Sequence, residues 1–260
     1  MILDIHRAPG YSFDTLDENS LFGSQAIQTR FVALWEALAR RYVDRRQPGL
    51  VFELLNEVML PAGSDPWNRL AQRLHAAIRA IDRDHWIMVG GNLHNAVTTL
   101  KDIALFDDPR TVYTFHCYEP MPFTHQHAPW VPALEEFNQT VDYPGTVDGL
   151  GDFLADHPDF GFFLAHWVNR RMDKASLREI LQPALAFQAR TGLPLYCGEF
   201  GVIDRAPRAD NRRWHADFID LLRQAGIGRA VWSYKQMDFG LVDQAGRVID
   251  EALVEIASAT

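Results

Sequence analysis

The sequence predicts an α/β fold of repeated βα units around a parallel sheet, and two observations carry that prediction. Short runs rich in β-branched and aromatic residues alternate along the chain with amphipathic stretches of helical period. No linker composition, low-complexity segment or fixed-period repeat breaks the alternation, so residues 1–260 are expected to form a single domain. With 260 residues, 47% hydrophobic and 23% charged, the chain can bury a sizeable core.

In chain order, ILDIH (2–6) is the first expected strand, followed by the amphipathic stretch 27–43. LVFELLN (50–56) and WIMVGG (86–91) are strands flanking a helical stretch at 67–82, and TVYTFHC (111–117) is the fourth strand. A long segment rich in Pro, His and aromatics, about 119–170, reads as an insertion. A helix over 174–191 leads to the strand LPLYCG (193–198). The stretch 212–226 ends on Gly226, a suitable helix terminator, before the strand RAVWSY (229–234) and a short apolar helix at 250–258.

Six strands in βα order point to the (β/α)8 TIM-barrel type, whose sites lie at the carboxyl ends of the strands. His6, Glu57, His116, Glu199 and Trp232 all fall at or near such ends. Glu57 closes LVFELLNE and Glu199 closes LPLYCGE, so two carboxylates from different strands meet one rim. That is the arrangement glycosidic bond hydrolysis needs, one group giving a proton and the other attacking. Glu53 has the same inward parity as Glu57 and reads as a buried structural acid that needs a partner.

The insertion follows the fourth strand on the same rim and gathers His125, His127, Trp130, Tyr143, His157, His166 and Trp167. Its aromatics are expected both to wall a sugar cleft and to cover a small core of the insertion's own. HQH is followed by no cysteine or carboxylate at zinc spacing, and HExxH is absent, so no metal and no other cofactor is expected. Cys117 and Cys197 form no CxxC and read as two free, structural thiols.

Charge narrows the partners. With 34 acidic against 25 basic residues the net charge is −9, the wrong sign for a nucleic-acid or anionic membrane surface, so neither partner is expected. No apolar run approaches the roughly 18 residues of a membrane span. MILDIHRAPG lacks the basic start, apolar stretch and cleavage site of an export signal, and localisation stays open.

FELLNEV, FHCYEP, CGEFG and VWSYKQMDFGLV, together with DIHRAPG, resemble glycoside hydrolase family 5, the cellulase-like members of clan A. The likeness runs from Met1 essentially to the end, in the family's order. It implies a retaining mechanism with Glu199 as nucleophile and Glu57 as acid/base, the two carboxyl groups about 5–5.5 Å apart. Glu57 would then be protonated near neutral pH while Glu199 stays ionised. The resemblance further implies that Asn56 holds the sugar 2-hydroxyl, that His6 and His116 contact the same sugar, and that Tyr118 orients Glu199. Trp232 would stack on a pyranose ring, and Lys235 would reach the sugar or cap the rim.

Counted against the family, the chain opens on the third strand. The first two βα units and the arginine of the second have no counterpart, so the barrel is expected to be incomplete. Its open edges would then be covered by a second copy of the chain, giving a homo-oligomer, or by the insertion. The substrate implied is β-linked polysaccharide, cleaved as an endo-β-1,4-glucanase (cellulase), with β-mannanase or β-1,3-glucanase as the alternatives within that chemistry. A catalytically weak sugar-binding remnant and a structural assembly protein are the readings of other classes.

Overall fold

A computed structural model describes residues 1–15, 19–45 and 49–259, and within them six strands form, at or beside the expected positions. They are β1 (Ile2–Asp4), β2 (Val51–Glu53), β3 (Trp86–Gly90), β4 (Thr111–Cys117), β5 (Leu195–Phe200) and β6 (Gly228–Arg229). The strands hydrogen-bond in chain order, β1-β2-β3-β4-β5-β6. Two compact units share them: Met1–His116 with Ala186–Tyr196, and Cys117–Leu185 with Cys197–Thr260. No helix among the described residues is long and apolar enough to cross a membrane.

In the first unit β1, β2, β3 and β4 are parallel, with Leu3 opposite Phe52, Phe52 opposite Ile87 and Ile87 opposite Thr111. The Tyr113 N–H donates to Pro194 O at 3.2 Å and brings in the segment that becomes β5. β2 is shorter than its apolar run because the chain past Glu53 alternates partners. Leu54 N–H donates to Met88 O (3.1 Å) and Asn56 N–H to Ile5 O (3.0 Å).

Two helices cover this sheet. In α1 (Gln25–Tyr42) Phe31, Trp35 and Ala39 recur every fourth residue and are all buried; the Ser24 hydroxyl caps the helix by accepting from Ile27 N–H. α2 (Asp65–Arg79) buries Trp67, Leu70, Ala71, Leu74 and Ile78. Each such large apolar side chain stabilises the fold by about 1.5–3 kcal/mol relative to exposure. The two indoles also reach the strand ends, Trp35 Nε1 donating to Leu54 O at 3.0 Å and Trp67 Nε1 to Gly90 O at 2.8 Å. Helix packing is thereby coupled to the backbone that carries the rim residues.

An ionic knot closes the opposite end of this unit. Asp108 accepts from Arg79 Nε (2.7 Å), pairs with His75 Nε2 (2.8 Å), and caps Arg110 N–H (3.0 Å). Burial pushes its carboxyl up, but the Arg110 N–H, the Arg79 guanidinium and the Thr111 hydroxyl outweigh burial and hold it down, to about 2.

The second unit contains the insertion, which is helical rather than a loop. It comprises α3 (Met121–Thr124), α4 (Pro132–Phe137), α5 (Leu150–Asp156) and α6 (Gly161–Leu164). Its small core is aromatic, with Phe153 against Phe137 (5.0 Å between ring centroids) and stacked on His157 (4.5 Å). Glu119 anchors it, accepting from Trp167 Nε1 and from Met121 N–H, both at 3.0 Å, while the Trp214 indole donates to Glu119 O at 3.1 Å. His127 Nδ1 meets Asn138 Oδ1 at 2.8 Å, so the second histidine of HQH ties two parts of the insertion together.

The expected helix over 174–191 is two helices, α7 (Lys174–Ile180) and α8 (Gln182–Thr191). Pro183 explains the break, since it has no N–H to offer and its ring crowds the carbonyl four residues earlier. α7 starts on a capping box, Asp173 accepting from Ser176 N–H while Ser176 Oγ accepts from Asp173 N–H. α9 (Arg208–Gln224) and α10 (Glu251–Ser258) are joined by Arg212, whose Nε reaches Asp250 Oδ2 at 2.8 Å.

β6 is far shorter than RAVWSY. Beyond Arg229 only isolated bonds continue toward β5, Ala230 N–H to Cys197 O and Trp232 N–H to Phe200 O, both 2.9 Å. The chain then turns into a loop closed by Leu241 N–H on Ser233 O (3.0 Å).

Candidate functional site

The expected site residues form two clusters, one in each unit. His6, Asn56, Glu57 and His116 belong to the first; Tyr118, Glu199, Trp232 and Lys235 belong to the second.

In the first unit Glu57 lies beyond β2 at φ +43°, a left-handed backbone that costs a non-glycine residue on the order of 1–3 kcal/mol. Tyr11 holds that conformation. Its hydroxyl donates to Glu57 O at 2.9 Å and accepts from Met59 N–H at 2.7 Å, bridging both sides of the turn. Burial, and to a lesser degree the Glu57 charge, push the Tyr11 phenol up to about 12, so it stays a donor at every working pH.

The Glu57 side chain is 14% exposed and meets two imidazoles. His116 Nδ1 lies 2.9 Å from Oε1 and His94 Nδ1 lies 3.6 Å from Oε2. Asn95 Nδ2 approaches His116 Nε2 at 3.4 Å, which puts the His116 proton on Nδ1, facing the carboxylate. Burial raises the Glu57 carboxyl, but the hydrogen bonds and charges of His116 and His94 outweigh it and hold the group down, to about 2. The free protein therefore differs from the expectation of a protonated Glu57: two imidazole donors favour the carboxylate.

His94 is a functional candidate that the sequence reading missed. It sits in a run of three left-handed residues, Leu93, His94 and Asn95, at φ +49°, +57° and +54°. The run is held by Asn92, which bonds both Leu60 N–H (2.8 Å) and Leu60 O (2.9 Å), and by His94 N–H on Val58 O (3.1 Å). Gly90 and Gly91 make room for it, since a Cβ at Gly90 would lie 2.4 Å from Asn95 Oδ1 and one at Gly91 2.3 Å from Thr99 Oγ1. The paired glycines and the asparagines of GGNLHN were the available signal.

His6 has a partner on each ring nitrogen, Asp4 Oδ2 on Nδ1 and Asn56 Nδ2 (3.3 Å) on Nε2. Asp4, the last residue of β1, also went unnoticed, although it stands only two residues from His6. Glu53 is buried, as expected for a structural acid.

In the second unit Glu199 lies near the end of β5, and the Tyr118 hydroxyl donates to its Oε2 at 2.8 Å. Gly201 follows because nothing larger fits: a Cβ there would lie 2.4 Å from Trp232 O. Trp232 is half-buried, and its peptide bond to Ser233 is cis. Lys235 is exposed, its backbone bridged to Val242. Tyr118 is packed edge-on against His125 (5.2 Å) and Phe239 (5.7 Å).

Cys117 and Cys197 are free and buried in this unit. Burial pushes the Cys117 thiol up to about 12 and the Cys197 thiol well above its ordinary value, so both are inert fillers at neutral pH.

Comparison with known proteins adds the following. The model of the cellulase family (glycosyl hydrolase family 5) matches residues 1–238. Endoglucanase C of Acetivibrio thermocellus is 41% identical over 256 residues, covering 98% of this chain and 74% of the relative. Cellodextrinase A of Ruminococcus flavefaciens is 33% identical over 230 residues, covering 88% of this chain and 61% of the relative. Among solved structures, endoglucanase Cel5A from Thermotoga maritima aligns with a TM-score of 0.78 at 24% identity, over 98% of this chain and 71% of that one, and shares the fold.

Proposed function

The chain belongs to the cellulase family, glycosyl hydrolase family 5, and on that footing we propose how it acts: as a retaining endo-β-1,4-glucanase with Glu199 as nucleophile and Glu57 as acid/base. One observation carries the residue assignment. Glu199 lies near the end of β5, Glu57 in the turn that follows β2, and each has the partner its role needs, a tyrosine hydroxyl on Glu199 and an imidazole on Glu57. We read both units as parts of one catalytic domain, since β5 runs through both.

In the first step a Glu199 oxygen bonds to the anomeric carbon as the glycosidic C–O bond breaks, and the departing oxygen takes a proton from Glu57. In the second, Glu57 as carboxylate removes a proton from water, the water oxygen bonds to the anomeric carbon, and the ester to Glu199 breaks. Tyr118 fixes the Glu199 rotamer. The low proton affinity of Glu57 in the free protein suits the second step. For the first, a glycosidic oxygen that accepts a hydrogen bond from the carboxylic acid favours that form, with the proton held by the Glu57–His116 pair.

Asn56 is assigned to the sugar 2-hydroxyl, His6 to the same sugar and Trp232 to its apolar face, with Lys235 at the rim. His116 was expected at the sugar as well. Both its ring nitrogens have protein partners and its side chain is only 2% exposed, which favours a role in positioning and protonating Glu57.

His94→Ala tests that proton relay. Losing a donor at Oε2 raises the proton affinity of the Glu57–His116 pair, so the alkaline limb of kcat/KM is expected at higher pH. A pH–rate profile with the limb unmoved, or moved down, contradicts the assignment.

Substrate is tested by incubating the protein with soluble β-1,4-glucan, mannan and β-1,3-glucan and following new reducing ends. The expected result is release chiefly from β-1,4-glucan. Faster release from either other polymer transfers the reading to mannanase or β-1,3-glucanase, and binding without release supports the sugar-binding remnant. For assembly we keep the homo-oligomer. In the described sheet β1 and β6 each have a strand on one side only, and a second copy is the least costly cover for such edges. Light scattering at micromolar concentration should return a multiple of the 29.6 kDa chain mass, and a monomer mass rejects it.

A further inference from the structure

We propose that Asp4 is a positioning residue: through the ring of His6 it fixes the Asn56 amide so that the carbonyl oxygen, and not the NH2 group, meets the sugar 2-hydroxyl. The proposal rests on the endoglucanase reading and on the place it gives Asn56, and adds to it what sets the polarity of that contact.

Asp4 ends β1 opposite Glu53 of β2, and just beyond that pair the Asn56 N–H donates to Ile5 O at 3.0 Å, so Asp4, His6 and Asn56 stand on adjoining backbone within one unit. Asp4 Oδ2 pairs with His6 Nδ1, and His6 Nε2 faces Asn56 Nδ2 at 3.3 Å. Phe13 meets the imidazole edge-on, with 5.4 Å between ring centroids, and restrains its tilt. Asp4 Oδ1 is buried and makes no hydrogen bond among the described residues, which leaves the His6 ring as the one hydrogen-bond partner of this carboxyl group. A carboxylate oxygen buried without a donor costs stability. Asp4 is therefore poorly placed as an anchor of the fold, and its single contact points to function.

Hydrogen-bond polarity passes along this row. A carboxylate only accepts, so the His6 proton sits on Nδ1. The neutral ring then has a lone pair at Nε2, which takes a donor and turns the NH2 of Asn56 toward itself. The other end of the amide, Asn56 Oδ1, accepts no side-chain or backbone hydrogen bond among the described residues and is the atom left for the ligand. An oxygen there obliges the sugar hydroxyl to donate. That sense of the bond matters because a 2-hydroxyl becomes a stronger donor as positive charge develops on the adjacent anomeric carbon, so the contact tightens in the transition state. With the proton on His6 Nε2 instead, Asn56 Oδ1 would turn to the ring and the NH2 to the sugar, and the bond would weaken as that charge grows.

The experiment compares wild type with Asp4→Asn on an aryl β-cellobioside and on the analogue that lacks the 2-hydroxyl beside the bond being cleaved. Asparagine keeps the shape of the side chain but offers the ring either an oxygen or an NH2, so the His6 tautomer is no longer imposed. On the ordinary cellobioside kcat is expected to fall about tenfold, the worth of one good hydrogen bond, with KM little changed. On the 2-deoxy analogue there is no hydroxyl to orient, and the two proteins should agree within about twofold. Equal losses on both substrates, or no loss on either, overturn the proposal. Nitrogen-15 NMR of wild type at neutral pH reads the ring directly and needs no variant to fold. His6 protonated on Nδ1 alone is the expected result, and an Nε2–H tautomer or an imidazolium overturns the relay. A wild type that cleaves neither cellobioside is the separate failure of the endoglucanase reading, and the spectrum still decides the relay in that case.

Discussion

Glu199→Gln is expected to abolish release of reducing ends from β-1,4-glucan while leaving folding and oligosaccharide binding near wild type. The substitution keeps the shape of the side chain and an oxygen able to accept from the Tyr118 hydroxyl, so the local geometry survives. What it removes is the electron pair that forms the covalent bond to the anomeric carbon. Without that bond the reaction loses its intermediate, and the fall should exceed the ~10²–10⁴-fold that loss of acid–base help alone produces. In Glu199→Ala, which does vacate that volume, added azide should restore turnover with inverted configuration, because the small anion attacks the same face that Glu199 uses. Wild-type rates in Glu199→Gln contradict the assignment.

Glu57→Gln should behave differently, and the difference identifies its role. On unactivated glucan the loss is expected at ~10²–10⁴-fold, the usual worth of positioned acid–base catalysis. An aryl cellobioside with an acidic phenol needs no proton to depart, so its first step should survive. The second step still lacks its base, and glycosyl-enzyme should accumulate as a burst. Equal losses on both substrates would show that Glu57 binds rather than transfers protons. The variant also has a thermodynamic signature. A carboxyl held down from 4.5 to about 2 contributes stability that is fully present above 4.5 and lost as pH falls toward 2. The stability deficit of Glu57→Gln should therefore shrink across that window in acid denaturation.

Much of this architecture was readable because apolar period and strand-end chemistry are local properties. α1, α2 and α9 cover the stretches their periodicity marked, and β4 spans Thr111–Cys117 as expected. Divergence came where non-local contacts decide. RAVWSY looks like a full strand, yet its later residues bond to their own loop as well as to β5. The insertion had no long period because its helices are short, and two of them have proline in the first turn. Pro183 was a visible breaker inside an otherwise convincing helical pattern.

The site divides the same way. Of the proposed site, Glu57, Glu199, His6 and His116 stood out by position at or near strand ends, and Tyr118 by the family resemblance. Most of their partners were not, because Tyr11, His94 and Asn95 reach them from distant segments or a left-handed turn. The Glu57 carboxyl illustrates the consequence. Motif chemistry asks for a proton there, whereas the two imidazoles brought by β4 and by the turn after β3 favour its absence in the free protein.

The central claim is a covalent glycosyl intermediate on Glu199, and the most direct measurement traps it. The protein would be inactivated with a 2-deoxy-2-fluoro cellobioside bearing an activated leaving group, digested, and mapped by mass spectrometry. A single sugar ester on Glu199, with products of retained configuration by NMR during normal turnover, is the predicted result. An adduct on a different carboxylate, or inverted product with no adduct, would contradict it.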